Sequence, residues 1–526
     1  MIRLRNIYLR PGEGEKLLVE KAAKALGIKP NRIEKLIICK KSIDARKKHN
    51  IRLVYTVDLS VSENEARIIS LVGQSASIAN DVIYTPPTSE CKAELRPVVI
   101  GFGPAGIFAA LILARAGLRP IIIERGADVD TRAEKVQEFW STGKLDSETN
   151  VQFGEGGAGT FSDGKLNTGI SDGRIRFVLQ TFHSAGSHES ILFDAKPHIG
   201  TDVLRGVVKN LRNEILTLGG EVRFGVKVNG LDIKNDHLTG LYLSDGSELF
   251  ADRVILAIGH SARDTIEMLY NADIPMQPKP FSMGVRIEHL QSEIDCVQYG
   301  DFAASGLLPR ADYKLSCHFP EGDSAYTFCM CPGGYVVAAA SEHGGVVTNG
   351  MSEFQRDGKN ANSALLVTLT PDMFPDKSVM GGVHWQREIE RRAFELGGGD
   401  YRAPAQLVGD FLVGRKSHAA GKVYPSYKPG VNWCDLNSVL PLIITDTLRK
   451  AIPALGRYLR NFDCPEAVLT APETRSSSPV RILRGGDFQS RIRGLYPCGE
   501  GAGYAGGIVS ASVDGIHCAE ALIKSL

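Results

Sequence analysis

The sequence predicts an α/β protein: a Rossmann-like nucleotide-binding domain built from discontinuous segments, an inserted mixed α/β substrate domain, and a small N-terminal α+β module. Three observations carry that expectation. A strand, a glycine turn and a helix follow one another from Pro97 to Ala116. The same pattern returns at the end of the chain, over Gly494–Lys524. Between them, residues 275–480 change to short alternating strands with two helical stretches, which is the pattern of a different domain.

Size and composition fit this division. The 526 residues are enough for two or three domains, and the 43% hydrophobic and 23% charged content is that of a globular protein. A net charge of +1 gives the whole chain no general attraction for polyanions. The charge is unevenly placed, however. Residues 1–60 hold 15 Lys/Arg against 6 Asp/Glu, a local +9, which leaves −8 for the remainder.

That basic segment belongs to the first module, residues 1–72. Ile2–Leu9 reads as a strand, Glu15–Leu26 as a helix stopped by Gly27, and Ile33–Cys39 and Ile51–Leu59 as two more strands. The basic stretch Lys40–Asn50 joins them and is expected to be a solvated turn. A weak polyanion or RNA contact through residues 1–60 is the functional alternative. The absence of interleaved aromatics argues against base stacking there. Residues 73–96, with Thr85-Pro86-Pro87-Thr88, read as a linker.

No membrane role is expected. Met1–Pro11 has no apolar core of a signal peptide, and Ile107–Ala114 is far short of the ~20 residues a span needs. The ten cysteines include no CxxC and no zinc-type pairing, so a reduced cytoplasmic protein without a metal site is the simplest expectation.

The nucleotide-binding domain is placed at 97–274 and 481–526. Its first motif is Val98-Val99-Ile100-Gly101-Phe102-Gly103-Pro104-Ala105-Gly106, a GxGxxG between a strand and a helix. Gly101 serves the tight turn, Gly103 the approach of a pyrophosphate, and Gly106 the close packing of helix on strand. Glu124 ends the next strand, 18 residues after Gly106, where a carboxylate accepts ribose hydroxyls. The adjacent Arg125 hints at a 2′-phosphate, but Glu124 would repel one. On this motif alone NAD and FAD both remain open. Farther along, Asp202–Leu218 reads as an amphipathic helix, Val222–Phe250 as a meander, and Arg253–Ile258 as a buried strand ending at Gly259.

Two other segments bear on the cofactor. Gly494 to Ile508 runs Gly-Leu-Tyr-Pro-Cys-Gly-Glu-Gly-Ala-Gly-Tyr-Ala-Gly-Gly-Ile, and resembles the closing FAD motif of glutathione-reductase-like flavoproteins. The loop Gly154–Leu166, with Gly156, Gly157, Ala158 and Gly159 at its centre, looks like the glycine-rich loop lying near the flavin in one subgroup of them. Ala257-Ile258-Gly259-His260 resembles their ATG-type segment. Over residues 96–526 the chain thus resembles the uncharacterised FAD-dependent dehydrogenases of the glutathione-reductase-like (GR2-type) superfamily.

The resemblance implies FAD as cofactor. It also implies that Gly499 and Glu500 contact the ribityl or pyrophosphate region, where many relatives carry Asp. A helix starting near Gly506, Gly507 and Ile508 would then aim its N-terminus at the flavin ring. The motifs say little of the substrate, because this fold hosts many reactions.

Candidates for the chemistry are correspondingly loose. His260, His318, His343, His384 and His418 are possible acid/base groups, and the segments around His343 and His418 are the preferred binding regions in the substrate domain, 275–480. Arg475 could clamp a carboxylate at the flavin face, or serve in a structural ion pair. Cys329 and Cys331 should share one strand face, as buried core cysteines or as a vicinal thiol pair. Cys498 reads as a small buried residue. The expected activity is transfer of a hydride between bound FAD and a small-molecule substrate or NAD(P)H. A flavin-containing polyanion-binding or redox-sensing protein and a flavin monooxygenase stand as alternatives.

Overall fold

In the computed structural model the N-terminal basic segment folds as a four-stranded antiparallel sheet in the order Ile33–Asp44, Arg52–Val61, Ile2–Leu9, Ala76–Ile78. Alternate residues of these strands (Ile2, Leu4, Val57, Leu59) meet Leu18, Ala22 and Leu26 of the helix Leu17–Leu26 in a core of their own. Two details differ from the sequence reading. The second strand runs on to Asp44, because the alternation continues through Lys41 and Ile43 opposite Tyr55 and Leu53. Ala76–Ile78 lies within the stretch read as linker, yet pairs with Ile2–Leu4 as an edge strand. The structure describes residues 1–80, 83–89 and 93–526, so part of the 73–96 linker lies outside the described residues.

The module is docked through its basic stretch. Lys41 N donates to Phe193 O at 2.7 Å and Ala195 N donates to Lys41 O at 2.8 Å. Arg3–Asp58, Lys21–Glu13, Lys41–Glu15 and Arg46–Asp44 are ion-paired within it. These pairs engage four of the fifteen Lys/Arg of residues 1–60.

A five-stranded parallel sheet forms the centre of the second unit, in the order Leu495–Pro497, Val254–Leu256, Val98–Ile100, Ile121–Glu124, Glu221–Phe224. The short apolar runs of Val98–Ile100, residues 121–123 and Val254–Leu256 at its centre are what a sheet covered on both faces requires, while the edge strand Glu221–Phe224 is half-buried. The helices Pro104–Arg115 and Ile508–Lys524 pack against each other on one face. They approach so closely that a Cβ on Gly515 would lie 2.2 Å from Ala105 O. Residues from opposite ends of the chain thus become neighbours. The meander is shorter than its sequence suggests. Glu221–Phe224 joins the parallel sheet after the helix Thr201–Thr217, and only Val228–Lys234, His237–Leu243 and Glu248–Phe250 form the antiparallel ribbon. Its first turn has φ of 52° and 60° at Asn235 and Asp236, the left-handed pair of a type I′ hairpin.

The third unit is an eight-stranded sheet running Ser316–His318, Ser324–Ala338, Asn360–Leu369, Phe281–Leu290, Val468–Glu473, Ala403–Leu407, Val431–Trp433, with Thr348–Met351 paired to the second of these. The helix Leu442–Gly456 covers one part, and Gly381–Gly397 lies beside Ala403–Leu407. Among the described residues, no helix is long and apolar enough to cross a membrane.

Candidate functional site

Where the parallel sheet ends, its loops open into a cavity that continues to the edge of the eight-stranded sheet. Its wall includes Gly101, Gly103, Pro104, Ala105, Glu124, Arg125, Gly157–Gly159, Gly259, His260, Glu500, Gly506, Gly507 and Ile508, together with Lys165, Phe328, Cys329, Asn349, Glu473 and Arg475. The three glycine segments, the last of them more than three hundred residues beyond the other two, are thereby brought to one crevice.

The glycines have distinct reasons. A Cβ on Gly101, whose φ is 95°, would lie 2.3 Å from Ala257 O, and one on Gly106 would lie 2.0 Å from Gly101 O. Gly157 comes so near the first turn that its Cβ would meet Gly103 Cα at 2.9 Å. Gly156 stands behind the wall, where a Cβ would meet Thr160 Oγ1 at 2.1 Å. Gly499, with φ 73°, packs on Ala105. In contrast, nothing lies within 4 Å of the Cβ positions of Gly259, Gly506 and Gly507, where bare backbone borders open space. The helices at Pro104 and Ile508 begin at Gly103 and Gly507, with no side chain capping either. Their first-turn N–H groups are left without intrahelical partners at the cavity. Two uncapped helix starts and bare glycine backbone suit a long, flat, anionic dinucleotide.

Glu124 and Arg125 are both more committed than the sequence suggested. Glu124, 4% exposed, accepts from the backbone N–H of Phe102 at 2.8 Å, Gly126 at 2.9 Å and Gly154 at 3.0 Å. It ties the glycine turn, the end of its own strand and the glycine-rich loop together, which leaves about one of its roughly four lone-pair sites for a ligand. The Arg125 guanidinium donates twice to Asp264 at 2.8 Å and once to Glu148 at 2.7 Å. It lies 4.1 Å from the Phe153 ring centroid. It is thus held in place and turned to its own partners.

Arg132, which the sequence reading passed over, organises the glycine-rich loop. Its buried guanidinium donates to the carbonyls of Asn150 (2.8 Å), Val151 (2.9 Å), Gly154 (3.3 Å), Glu155 (2.7 Å) and Gly157 (3.0 Å). Burial pushes it down to about 9, opposed by Glu124 and Glu155, so it is still a cation at neutral pH. Its periodicity in the helix Val129–Thr142 marks it as core-facing, but nothing in the sequence says that an arginine there faces five carbonyls.

The histidines separate cleanly. His343 and His418 are exposed and outside the cavity wall, which corrects the expectation that they mark the binding region. His343 lies on an exposed turn and His418 on an exposed loop. His260 does line the cavity, with its Nδ1 3.1 Å from Ser261 Oγ, which donates in turn to Gln152 at 2.9 Å. Burial, with Arg475 and Arg263 nearby, pulls the imidazole down to about 3, so it is neutral at physiological pH.

Arg475 also lines the cavity, but its guanidinium is engaged. It donates to Glu390 at 2.9 and 3.2 Å and to Ser341 Oγ. Glu390, 2% exposed, also receives Arg263 at 2.6 and 2.8 Å. The two cations hold its carboxyl below the usual range against the opposing effect of burial. This cluster joins the helix Arg263–Asn271 of the parallel unit to Gly381–Gly397 of the other. It fastens the two units together, and the structural reading of Arg475 is the one its contacts fit.

Other charged groups stand at or beside the same cavity. Lys165 sits between Asp163, at 3.0 Å, and the carbonyl of Met330. Asp163 is held down to about 2, with burial opposed by the charges of Lys165 and Arg356. Glu500 is pushed up to about 7 by burial, with Lys279 opposing.

Comparison with known proteins bears on this cavity directly. Residues 280–476 match the family described as FAD-dependent protein, C-terminal domain-like. Over its whole length the chain is similar to an uncharacterized protein of Clostridium beijerinckii, 46% identical over 528 residues, covering 99% of this chain and 98% of that protein. The chain belongs to the FAD-dependent protein family. FAD is its cofactor. Residues 1–60 of this FAD-dependent protein match a domain of unknown function. Among solved structures it is similar to a glycerol-3-phosphate dehydrogenase of Bacillus halodurans complexed with FAD (12% identity, 83% of this chain and 65% of that chain, TM-score 0.35). It is also similar to a glycine oxidase of Bacillus cereus (13% identity, 82% and 95%, TM-score 0.30).

Proposed function

We propose that the protein is an oxidoreductase of the glutathione-reductase-like, GR2-type class, which transfers a hydride between FAD and a small-molecule substrate or NAD(P)H. One observation carries the reading: the glycine-lined crevice opens, without a partition, into a chamber walled by His260, Lys165, Phe328, Cys329 and Asn349. When bound, FAD supplies a ring that accepts or gives two electrons.

The division of labour follows from the residues. Gly101, Gly103, Pro104, Ala105, Gly106 and Glu124 would hold the nucleotide half through backbone donors and one carboxylate site. Gly157–Gly159, Gly259, Glu500 and Gly506–Ile508 would hold the flavin half, with Gly156 and Gly499 shaping the backbone behind them. The uncapped start of the helix Ile508–Lys524 offers a positive dipole end where the ring gains negative charge. Lys165 offers a cation to an anionic or carbonyl-bearing substrate. Neutral His260 is able to take part in a hydrogen bond with it.

The test is anaerobic mixing of the purified flavoprotein with NADH, NADPH and a panel of small organic acids and carbonyl compounds, followed through the flavin absorbance. Rapid bleaching by one class of donor is expected. A flavin inert to every donor, with salt-sensitive RNA binding that requires residues 1–60, would instead favour the polyanion-binding alternative. A transient C4a-peroxide spectrum after reduction and oxygenation would favour a monooxygenase.

A further inference from the structure

We propose that Cys329 and Cys331 form a redox-active thiol pair in the wall of the FAD cavity, interconverting between dithiol and intrachain disulfide. The geometry starts from a break in the strand Ser324–Ala338. Against Asn360–Leu369 its register passes from Phe328↔Ala364 to Cys331↔Asn362, so three steps on one strand face two on the other. This is a bulge, and bulges re-aim side chains. Cys329 takes a left-handed φ of 41°, which is uncommon for a residue with a Cβ. It reaches the cavity, while Cys331 stays wholly buried behind it. Regular alternation would have put both on one face equally.

The two sulfurs are in reach of each other. Residues two apart in a strand have Cα atoms roughly 6.6–6.8 Å apart, inside the ~4.4–6.8 Å that a disulfide spans. Cys331 Sγ turns back to donate to Cys329 O at 3.3 Å, which sets it beside the Cys329 side chain. Cations fix the bulge. Arg286, fully buried, donates to Cys329 O at 2.9 Å, and Lys165 donates to Met330 O. The Cys331 hydrogen bond, with Lys165 and Arg286, holds the Cys329 thiol below its ordinary range, and the same coupling pushes Cys331 up. Because Cys329 borders the cavity and Cys331 lies buried behind it, Cys329 is the attacking thiol and Cys331 the resolving one.

A second cysteine cluster makes a useful contrast. Cys498 and Cys518 lie beside Asp514, all with ligand atoms within 4.8 Å. Arg484 already donates to Asp514 at 2.6 and 3.0 Å and approaches Cys518 at 3.4 Å. Both cysteines are 0% exposed, so this cluster has neither access nor room for a cation.

The step balances with a low-molecular-weight disulfide, RSSR, as oxidant. The Cys329 thiolate attacks one sulfur, forming a Cys329–SR bond and expelling RS⁻. The Cys331 thiol gives up its proton and attacks Cys329 Sγ, forming the Cys329–Cys331 bond and expelling a second RS⁻, which takes that proton. Two electrons pass from the pair to RSSR, and one RS⁻ and one RSH leave. The same couple, facing the flavin, gives the protein a two-electron store next to its cofactor.

The experiment equilibrates the full-length flavoprotein in glutathione buffers of rising oxidised fraction, quenches with an alkylating reagent and maps thiols by mass spectrometry. Expected is a single two-electron transition to a Cys329–Cys331 disulfide with unchanged flavin content. Cys331→Ser is expected to trap glutathione on Cys329, and Lys165→Met to slow iodoacetamide labelling of Cys329 at neutral pH about tenfold. Both thiols remaining reduced throughout, or the disulfide mapping to Cys498 and Cys518, would overturn the proposal. Should Cys331→Ser fail to fold, the wild-type titration alone decides. The inference rests on the FAD-cavity reading for what Cys329 faces, and the two fail separately. A colourless protein that still forms the disulfide defeats only the cavity reading, and a yellow protein with inert thiols defeats only this one.

Discussion

The two walls of the cavity are made of different material. On the parallel-sheet side the surface is main chain: glycine turns, two uncapped helix starts and hardly a charge that is not already spent on backbone amides. On the eight-stranded side, and where the two units meet, it is backed by buried ions: Arg286 on Glu473, Arg475 of this side and Arg263 of the other on Glu390, and Arg356 reaching across to Asp163 beside Lys165. Backbone N–H groups bind phosphate and ring edges regardless of side chains. Buried ion networks hold side chains in one arrangement, and they are costly unless every partner is present. The first wall is generic and the second particular: the first depends on bare glycine backbone and on what holds it in place, the second on which charged side chains meet.

The sharpest way to break this contrast is Arg132→Met. It leaves five loop carbonyls without their donor, and we expect loss of flavin on gel filtration together with about 5 kcal/mol of stability, read by denaturant titration. Arg132→Lys should recover only part, since an ammonium cannot reproduce the fork. Full flavin retention in Arg132→Met would mean that the glycine loop holds its own shape.

Glu390→Gln should come next. It leaves Arg263 and Arg475 as buried, under-compensated cations and should cost about 3 kcal/mol. Flavin content should survive if the cluster fastens domains rather than binds cofactor. Bleached, flavin-free protein would place Glu390 in the cofactor site instead.

A smaller effect is expected in acid. Asp163 is held down to about 2 from an ordinary 3.8. A carboxyl lowered in the folded state stabilises fully above its unfolded value and loses that contribution as pH falls from 3.8 toward 2. Thermal melts should show this slope in the wild type and a flatter one in Asp163→Asn.

The smallest effect has the opposite sign. Glu500 is raised from 4.5 to about 7, so the folded state holds a proton that the unfolded chain has lost. Stability of the flavin-free protein should fall as pH rises from 4.5 through 7, and Glu500→Gln should remove that slope. A slope that persists in the variant would assign it to another group.

The same contrast explains what could be read in advance. Gly101, Gly103 and Gly106 declare themselves by spacing between a strand and a helix, and Gly499 to Ile508 by repeating that pattern. His343 and His418 misled because adjacent glycines were read as a site, whereas here they lie in an exposed turn and an exposed loop. Arg132 escaped notice because its role depends on carbonyls that lie about twenty residues away along a loop without periodicity. Cys329 was legible as a cysteine near a second one, but its turn into the cavity comes from a bulge, and bulges are not written in the alternation of a strand. Glu221–Phe224 was taken into the meander because four half-buried residues carry too little pattern to choose between a parallel edge and a hairpin.

By itself the sequence determined the architecture of the cofactor side, since a glycine turn between a β period and an α period admits few backbone solutions and each is a local matter. Tertiary structure alone decided which charges meet across the cavity, which histidine faces it and which thiol is bare. Those depend on distances between segments hundreds of residues apart, and only the packed chain sets such distances.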